Sequence, residues 1–327
     1  NDKYSALNPA TRDDNINELS FLDIDLVNGI IEFPSESCVI AKDLIIPEGY
    51  VVKANPGCKI DMVNSSRVIS YSPLLFLGKN EDMITITSSD STGQGIIVLN
   101  CQRASELKHV SFTYLSNIDE SDWSLNGVIT FYRSDVNVID CNFSENKSGD
   151  DYLNIVKSNF NIIGSNFTNT YADAFDSDYS SGTIQNVHYL NIGNDAIDIS
   201  GTELYIDSII INDAGDKAIS AGEGSKVIGR DIAINRGEIA LTSKDNSIID
   251  IDRLSIKSSK VAYCSFQKKP EYGPGIISVK NVQIEDVDTK YLIEVGSSLN
   301  IDGNEINDKS RNVIELLYGN EYGKSSE

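Results

Sequence analysis

The chain has 327 residues, of which 40% are hydrophobic and 8% aromatic, and it carries a net charge of −22 at pH 7. A chain of this length favours an elongated or repetitive fold over one compact globule. The charge argues against binding nucleic acid or an anionic membrane surface, because both need clustered Lys and Arg side chains. No stretch is long and apolar enough for a transmembrane helix, and the acidic composition favours a protein outside the cytoplasm: extracellular, on the cell surface or in the periplasm.

The cysteines show neither metal-site nor redox spacing. No CxxC motif occurs, and an odd, sparse set does not make a disulfide framework. We therefore expect the five to be buried as small hydrophobic side chains. They are Cys38, Cys58, Cys101, Cys141 and Cys264.

Residues 1–40 are polar and irregular, and we interpret them as an N-terminal cap or the tail of a preceding domain. The repetitive sequence that follows would need its open end covered, which is the reason to expect a cap. Residues 41–327 are predicted to form one repetitive domain. Its early segments, at 44–62, 73–90 and 126–143, alternate apolar and polar residues as short strands do.

From residue 151 the sequence repeats with an unbroken period of 22. One column of the repeat is large and apolar, its neighbour is mostly alanine, and a column of isoleucines recurs at the same spacing. These columns are Leu153, Phe175, Ile197, Ile219, Leu241 and Tyr263; Tyr152, Ala174, Ala196, Ala218, Ala240 and Ala262; and Ile162, Ile184, Ile206 and Ile228. A fixed period of this length indicates stacked supersecondary units.

The repeat has strand and turn chemistry, since short runs of Ile and Val are broken by clusters of Gly, Asn, Asp and Ser. The leucine-rich-repeat framework, which shares the period, is missing from the sequence. Twenty-two residues at about 3.3 Å each suit one coil of three short strands with their turns. The sequence therefore predicts an all-β parallel β-helix, with each coil about 4.8 Å above the last.

The alternation of side chains along a strand assigns a direction to each column. The large apolar column is predicted to fill the interior. The columns on either side of it are then predicted to face outward, so that the alanines form a smooth outer row beside a polar row. That polar row is Asn154, Asp176, Asp198, Ser220, Thr242 and Cys264.

Asp176 and Asp198 are predicted to stack on adjacent coils, with Asp178 two residues further along the same outer face. Carboxylates about 5 Å apart repel each other, so such a group raises the pKa of one partner, recruits a cation or awaits a ligand. The candidate catalytic residues are therefore Asp176, Asp178 and Asp198, and the same three are candidate ligands for calcium, which prefers oxygen. The alternative is a solvated acidic face of a highly negative protein.

Five further residues flank this patch in the predicted stack, and we treat them as candidate substrate-binding residues. Asp173, Asp195 and Lys217 share the column at the strand entry, while Asn154 and Lys157 belong to a neighbouring coil. The alternative for the aspartates is the capping of turns by hydrogen bonds between side chain and backbone. The alternative for each lysine is a solvated surface cation.

An acid patch beside a smooth row suits a polysaccharide that lies on the outer sheet. Two carboxylates flanking a glycosidic bond are the machinery of glycoside hydrolases. A lyase or epimerase acting on a uronic acid would instead need a cation or Lys to neutralise the substrate carboxylate and a base to remove the adjacent proton. Residues 267–275, QKKPEYGPG, interrupt the repeat and form either a groove wall or a plain excursion.

The stretch DAFDSDYSSGTIQNVHYLNIGNDAIDISG and the following GDKAISAGEGSKV resemble the right-handed parallel β-helix repeat proteins of the pectin-lyase-like superfamily. The resemblance covers roughly residues 40–315 and implies a right-handed, single-stranded parallel β-helix. The superfamily includes polysaccharide lyases, polygalacturonase-type hydrolases, uronate epimerases, tailspike depolymerases and non-enzymatic surface proteins. Tailspike-type members are trimers, so the resemblance also leaves a homo-oligomer open.

The chain departs from the catalytic motifs of that superfamily. It lacks the GHG motif of polygalacturonase-like hydrolases, and DAFDSD only echoes the DPH-type motif of alginate epimerases, without the histidine. No arginine stands where the base of a pectate lyase would. The resemblance thus implies the fold and a carbohydrate context, and it leaves the reaction open.

The sequence-based hypothesis is a carbohydrate-active β-helix, a lyase or a glycoside hydrolase, that acts on an acidic extracytoplasmic polysaccharide. The alternative is a non-catalytic polysaccharide-binding, adhesin or structural surface protein. An enzyme needs a walled cleft, aromatic side chains for sugar stacking and an acid with a shifted pKa, whereas a scaffold would present a bare face.

Overall fold

The computed structural model describes residues 13–120 and 123–317. The chain divides into two compact units, residues 1–160 and 161–327. In each unit the chain runs round three faces in turn, and successive strands of one face pair in parallel. The predicted parallel β-helix is confirmed, and so is the fold implied by the resemblance to pectin-lyase-like proteins.

The first unit begins with a 3-10 turn at Ile16–Glu18. Its strands are β1 (Asp23–Asp25), β2 (Ile30–Glu32), β3 (Ser37–Ile40), β4 (Leu44–Ile46), β5 (Val51–Ala54), β6 (Lys59–Met62), β7 (Val68–Ser70), β8 (Leu74–Leu77), β9 (Ile84–Thr87), β10 (Ile96–Leu99), β11 (Ser105–Lys108), β12 (Val110–Thr113), β13 (Asp119–Glu120), β14 (Trp123–Ser124), β15 (Gly127–Tyr132), β16 (Val136–Ile139), β17 (Asn142–Ser144) and β18 (Asp151–Val156). The strand β19 (Asn159–Ile163) contains the boundary between the units.

Three parallel series make up the first unit. One face is β2, β5, β8, β11 and β16, the second is β3, β6, β9, β12 and β17, and the third is β4, β7, β10, β15 and β18. Parallel pairing thus begins before residue 41, where the β-helix was predicted to start, because β2 and β3 already pair with β5 and β6. Ahead of these strands lie β1, which pairs antiparallel with β2, and the buried Ile16 and Leu19. Residues 1–12 of the predicted cap lie outside the described residues.

The second unit contains β20 (Asn166–Thr170), β21 (Asp173–Asp178), β22 (Ser181–Gln185), β23 (His188–Ile192), β24 (Ile197–Ser200), β25 (Glu203–Gly222), β26 (Lys226–Lys244), β27 (Ile248–Lys257), β28 (Val261–Phe266), β29 (Ile276–Glu285), β30 (Thr289–Ile293), β31 (Ser298–Ile301), β32 (Asn304–Glu305) and the short helix α1 (Val313–Leu317). The strands β21 and β24, the last parts of β25 and β26, and then β28 and β30 form one face. We call this face the acid sheet.

The predicted register of the acid sheet is confirmed residue by residue. Asp176 pairs with Asp198, Asp198 with Ser220, Ser220 with Thr242, and Thr242 with Cys264. The predicted interior column of this unit is fully buried, which gives the sheet its apolar inner side. That column is Phe175, Ile197, Ile219, Leu241 and Tyr263.

The isoleucine column is wrong by one residue at its last member. Ile206 pairs with Gly229 rather than with Ile228, which pairs with Tyr205 and is half-exposed. The cause is a turn of three residues, 223–225, where the previous coil uses only 201 and 202. The next corner is one residue shorter in compensation, so the period of 22 is restored at Lys217 and Ile239.

The prediction of an exposed alanine row is also wrong. All five alanines, Ala174, Ala196, Ala218, Ala240 and Ala262, are fully buried. Simple alternation fails at the strand entry, where the chain is still turning. Val261 joins the same buried cluster as Cys264, although an alternating strand would place them on opposite faces. Val313 and Leu317 of α1 complete that cluster, which explains why Cys264 is buried as well.

Left-handed backbone marks the corners of the coils. The corner that follows the acid sheet holds Tyr179, Gly201, Glu223 and Asp245, with φ of 49°, 61°, 58° and 56°. These four residues recur every 22 positions, so one bend is repeated at the same edge on four successive coils. We call this column the acid-sheet corner.

All five cysteines are free thiols, and four are buried as predicted, with Cys101 only partly so. None of the helices in the described ranges has the length and apolar character needed to cross a membrane.

Candidate functional site

The structure places the three candidate acids on one outer face, the acid sheet. Asp176 and Asp198 are register partners on adjacent coils, and Asp178 lies opposite Ser200. All three aspartates are partly exposed. Asp198 also approaches the strand-entry column, because one carboxylate oxygen from each of Asp173, Asp195 and Asp198 lies within 4.8 Å of the others.

The strand-entry aspartates tie successive coils together. Oδ1 of Asp173 accepts hydrogen bonds from the backbone N–H of Asp195 (2.8 Å) and from Nδ2 of Asn194 (2.7 Å). Oδ1 of Asp195 in turn accepts from the backbone N–H of Lys217 at 2.8 Å. Only 5% of Asp173 and 3% of Asp195 is exposed. These carboxylates therefore cap the entries of the next coils, whatever further role they have.

Burial shapes the charge state of this column. It raises the pKa of Asp195, and the nearby Asp198 and Asp216 carboxylates raise it further, while Lys217 and Lys244 act against the rise. Lys217 is itself 7% exposed; its Nζ donates to Asp216 and lies 3.6 Å from Oδ1 of Asp195. Lys217 is thus a buried counter-ion and not the solvated surface cation of the alternative interpretation, while its part in substrate binding stays a prediction.

Lys244 is a site residue that the sequence analysis did not select. Its side chain is nearly buried, and Nζ donates to Oγ of Ser220 at 3.1 Å and lies 3.7 Å from Oδ1 of Asp198. That Oδ1 atom is buried and accepts no hydrogen bond from any described residue. An ammonium group and an under-coordinated carboxylate oxygen therefore stand side by side on the acid sheet.

A glycine makes room for this arrangement. Lys244 begins two coils above Asp198, and its side chain runs along the sheet over Gly222. A Cβ atom on Gly222 would lie 2.8 Å from Cε of Lys244, closer than carbon atoms pack. Gly222 is therefore needed for Lys244 to reach Ser220 and Asp198.

Asp178 sits at the edge of the sheet beside a second acid–lysine pair. Burial raises the pKa of Asp178, and Glu223 and Asp198 raise it further, whereas Lys269 lowers it. Glu223 is paired with Nζ of Lys269. Burial alone would raise the pKa of Glu223, but the hydrogen bonds from Lys269 and Ser200 outweigh it, and the net shift is downward. The pKa values of these two neighbouring carboxyl groups are thus shifted in opposite directions.

Two tyrosines bracket the acid-bearing strand β21. Tyr171 precedes it with 63% exposed, and Tyr179 follows it with 58% exposed. Tyr179 lies across the next coil, since a Cβ atom on Gly201 would meet its ring at 2.7 Å. Exposed aromatic rings beside hydrogen-bonding acids are the surfaces on which sugars stack.

Asn154 and Lys157 belong to the first unit. Asn154 is 6% exposed and donates from Nδ2 to Asp151 at 2.8 Å. Lys157 is exposed, with Nζ 6.0 Å from the centre of the Tyr132 ring. Their role as substrate contacts stays a prediction.

A groove of about 850 Å³ lies on another part of the second unit, between residues such as His188, Ile210 and Asn281. Its one carboxylate, Asp231, is held by Arg253 through two hydrogen bonds of 2.5 and 2.7 Å. The pKa of Asp231 is lowered accordingly. The groove therefore lacks the unpaired acid and the raised pKa that the acid sheet offers, and we place the candidate site on the acid sheet.

The fit to calcium differs between the two groups of acids. The closest oxygens are those of Asp173, Asp195 and Asp198, but two of these groups already accept backbone hydrogen bonds, and the ammonium groups of Lys217 and Lys244 stand within 4 Å of their oxygens. Two lysines thus occupy the place of a cation, and this trio does not suit calcium. The predicted trio of Asp176, Asp178 and Asp198 keeps exposed oxygens, and calcium binding there stays a prediction.

The repeat contained a signal for one of the missed residues. Stepping by 22 from Asp178 leads to Ser200, Gly222 and Lys244, so Lys244 ends the column that starts with a candidate acid. The repeat gives no such signal for Lys269, because Lys269 lies in the loop where the repeat is interrupted.

No protein-family model matches the chain, and no curated protein matches its sequence. Among solved structures it is similar to an alginate lyase from Paenibacillus sp. str. FPU-7, with 12% identity, a TM-score of 0.42, and coverage of 79% of this chain and 98% of the other. It is similar to the catalytic domain of a GH87 α-1,3-glucanase in complex with tetrasaccharides, with 12% identity, a TM-score of 0.44, and coverage of 88% and 64%. The periplasmic alginate epimerase AlgG has 8% identity, a TM-score of 0.42, and coverage of 83% and 80%. At these identities the likeness concerns the fold alone.

Proposed function

We propose that the protein is a carbohydrate-active enzyme that cleaves an extracytoplasmic polysaccharide on its acid sheet. The observation that carries the proposal is the Lys244–Asp198 arrangement. A nearly buried ammonium stands 3.7 Å from a carboxylate oxygen that accepts no hydrogen bond from the described residues. Placing charges this way costs stability, which is typical of catalytic sites rather than of structural surfaces.

The two partly exposed acids have complementary chemistry. Asp198 lies 3.7 Å from the Lys244 ammonium, and a carboxylate in that position suits a nucleophile or a base. Asp178 has a raised pKa, which suits a general acid that protonates the leaving oxygen of a glycosidic bond. Asp176, the register partner of Asp198, borders the same space.

The substrate class is an acidic polysaccharide in this proposal. Tyr171 and Tyr179 offer stacking surfaces at the two ends of β21, while Lys244 and Lys269 offer positive charge to a uronate carboxylate. With a uronate bound, the same residues support β-elimination: a lysine neutralises the carboxylate, Asp198 removes the adjacent proton, the glycosidic C–O bond at the next carbon breaks as the C=C bond forms, and Asp178 protonates the leaving oxygen. In this proposal the protein acts outside the cytoplasm, on an acidic polysaccharide of the cell envelope or its surroundings.

The test is a panel of acidic and neutral bacterial and algal polysaccharides, each run with calcium and with a chelator. Ultraviolet absorbance of unsaturated uronates reports a lyase, and new reducing ends without that absorbance report a hydrolase. We expect Asp198→Asn and Asp178→Asn to abolish product formation. Asp250→Asn, which removes an exposed aspartate from β27 on another face, should leave it unchanged.

The outcomes separate the enzyme from a scaffold. Activity that needs Asp198 and survives the chelator supports a lysine-assisted site, and loss of activity on chelation supports calcium at Asp176, Asp178 and Asp198. If the folded wild-type protein releases no product from any polysaccharide of the panel, the result would favour the non-catalytic binding or structural alternative.

A further inference from the structure

The loop at 267–275 is a fixed part of the molecule rather than a plain excursion. Ile248 pairs with Ile276, a step of 28 residues, which is six more than the period of 22. The backbone N–H groups of Lys268 and Lys269 both donate to Oδ1 of Asp245 at 2.7 Å. The far side of the loop is tied as well, since the N–H of Asn246 donates to the carbonyl of Gly273 at 2.7 Å.

Asp245 is suited to this anchoring role by its position. It is fully buried, belongs to the acid-sheet corner, and projects from the coil directly below the loop. Its second oxygen, Oδ2, accepts no hydrogen bond from the described residues. The hydrogen bonds that this buried carboxylate accepts come from two N–H groups of the inserted loop. We infer that the position of the loop is important.

The anchored loop delivers Lys269 to the candidate site. Lys269 follows β28, yet its ammonium pairs with Glu223, which belongs to a coil two steps lower. That span is about 10 Å at the usual spacing of parallel strands. Lys269 thereby lies close enough to Asp178 to affect its pKa. The loop therefore forms a wall at the acid-sheet corner, with one positive charge turned toward the acids.

Lys269 is also the lysine that is free to change partner. Its side chain is 44% exposed, whereas those of Lys217 and Lys244 are 8% and 11% exposed and are held by acids of the sheet itself. Glu223 keeps the hydrogen bond from Ser200 when Lys269 leaves. Moving the Lys269 ammonium from Glu223 to another anion thus costs less free energy than moving either buried lysine away from its acid.

We propose that Lys269 is a specificity-determining residue: its ammonium exchanges Glu223 for a carboxylate or sulfate group of the polysaccharide, and Asp245 is the positioning residue that holds it at the site. This inference rests on the proposed function. The exchange leaves Glu223 unpaired beside Asp178, which favours the protonated form of Asp178 and so couples anion binding to the proposed general acid.

The experiment measures binding of an acidic and a neutral polysaccharide by calorimetry to the full chain and to variants. Lys269→Met is expected to weaken binding of the acidic polysaccharide about tenfold, the effect of one charge-assisted hydrogen bond, and to leave neutral binding unchanged. The matched control is Lys268→Met, because Lys268 is its neighbour in the same loop but lines a separate cavity with Glu294 and Arg311. The control should bind like the wild type.

Asp245→Asn tests the positioning role. We expect it to raise the KM for the acidic substrate with little change in kcat, and the double variant with Lys269→Met to be no weaker than Lys269→Met alone. Equal binding by the Lys269→Met and Lys268→Met variants, with wild-type binding intact, would overturn this inference and leave the proposed function standing. A wild-type protein that binds and cleaves none of the polysaccharides overturns both.

Discussion

In two parts of the second unit, aspartates lie close to charged groups of neighbouring coils. The two parts differ in the cations that pair with these carboxylates. At the corners between faces, each aspartate meets an arginine from the next coil, and the arginine side chains are at least half exposed. These pairs are Asp207–Arg230, Asp213–Arg236 and Asp231–Arg253, with shortest contacts of 2.5 Å. On the acid sheet, the counter-ions are instead nearly buried: Lys217 and Lys244 lie 3.6 and 3.7 Å from Asp195 and Asp198.

This difference shows which of the two regions holds its charges in an arrangement that lowers the stability of the folded protein. Exposed pairs gain and lose little, because water already solvates both charges. Buried charges lose their hydration, and only close pairing with complete hydrogen bonding compensates for the lost free energy. The acid sheet does not provide such pairing. The corner pairs therefore behave as ordinary surface contacts between coils, while the acid sheet keeps a destabilising arrangement that the proposed chemistry can use.

The largest expected effect is that of Lys244→Met. Removing the ammonium leaves Asp198 without its counter-ion, while Asp195 keeps Lys217, and breaking a buried ion pair in this way typically costs about 3–5 kcal/mol. We expect a matching fall in the free energy of unfolding, measured with urea, and loss of cleavage activity. Arg236→Met, which removes a cation of the corner pairs, is the control and should change stability little. A Lys244→Met protein as stable as the control would contradict the assignment.

The two regions should also respond to pH with opposite signs. The pKa of Asp195 is raised by burial, so over the range between its unfolded and folded values the folded protein holds a proton that the unfolded chain has released. The free energy of unfolding then falls as pH rises above about 4. The hydrogen bond from Arg230 lowers the pKa of Asp207 to about 2, so its contribution is present above about 4 and is lost as pH falls toward 2.

Melting temperatures recorded across the acidic range check both signs. Asp195→Asn should flatten the decline above pH 4, and Asp207→Asn should flatten the rise below it. Identical pH profiles for the two variants would show that the two regions do not differ in the way described.

A smaller effect on stability, but a clear one on activity, is expected from Gly222→Ala. The added Cβ displaces the end of the Lys244 side chain, which can move at low cost in energy but then leaves Ser220 and Asp198. We expect activity to fall at least about tenfold and the free energy of unfolding to fall by less than it does for Lys244→Met, because the displaced ammonium stays near the acid sheet. Gly237→Ala is the matched control, since a Cβ there meets its nearest atom at an ordinary 3.6 Å. Equal activity of the two variants would count against the role of Lys244.

The sequence predicted those parts of this comparison that depend on the period. A step of 22 residues fixed the pairing of Asp176 with Asp198, because strand register follows directly from the repeat once the coils stack. The same reasoning failed for Ile228, because turns of two and of three residues are both compatible with a period of 22. It failed for the alanine row because alternation holds within a strand and not at its entry.

Charge placement across coils was beyond sequence reasoning for a different physical reason. Lys244 and Lys269 each reach about two coils down the stack, and a flexible side chain of that length has several acids within range. Which acid it meets depends on features such as the absent side chain of Gly222 and the capped N–H groups of the loop at Asp245. Asp173 and Asp195 were predicted as either capping or binding groups, and the structure shows the capping bonds while their part in binding stays a prediction.

The smallest expected effect is that of salt on the melting temperature. It distinguishes the corner pairs from the acid sheet without a measurement of activity. At 1 M ionic strength the screening length is about 3 Å, so interactions between exposed charges are largely suppressed while partly buried pairs are screened much less. The difference in melting temperature between the wild type and Arg236→Met should therefore vanish as sodium chloride is raised, whereas the difference between the wild type and Lys244→Met should persist. If both differences vanish together, solvent reaches Lys244 and Asp198 as freely as it reaches the corners, and the acid sheet would be an ordinary charged surface.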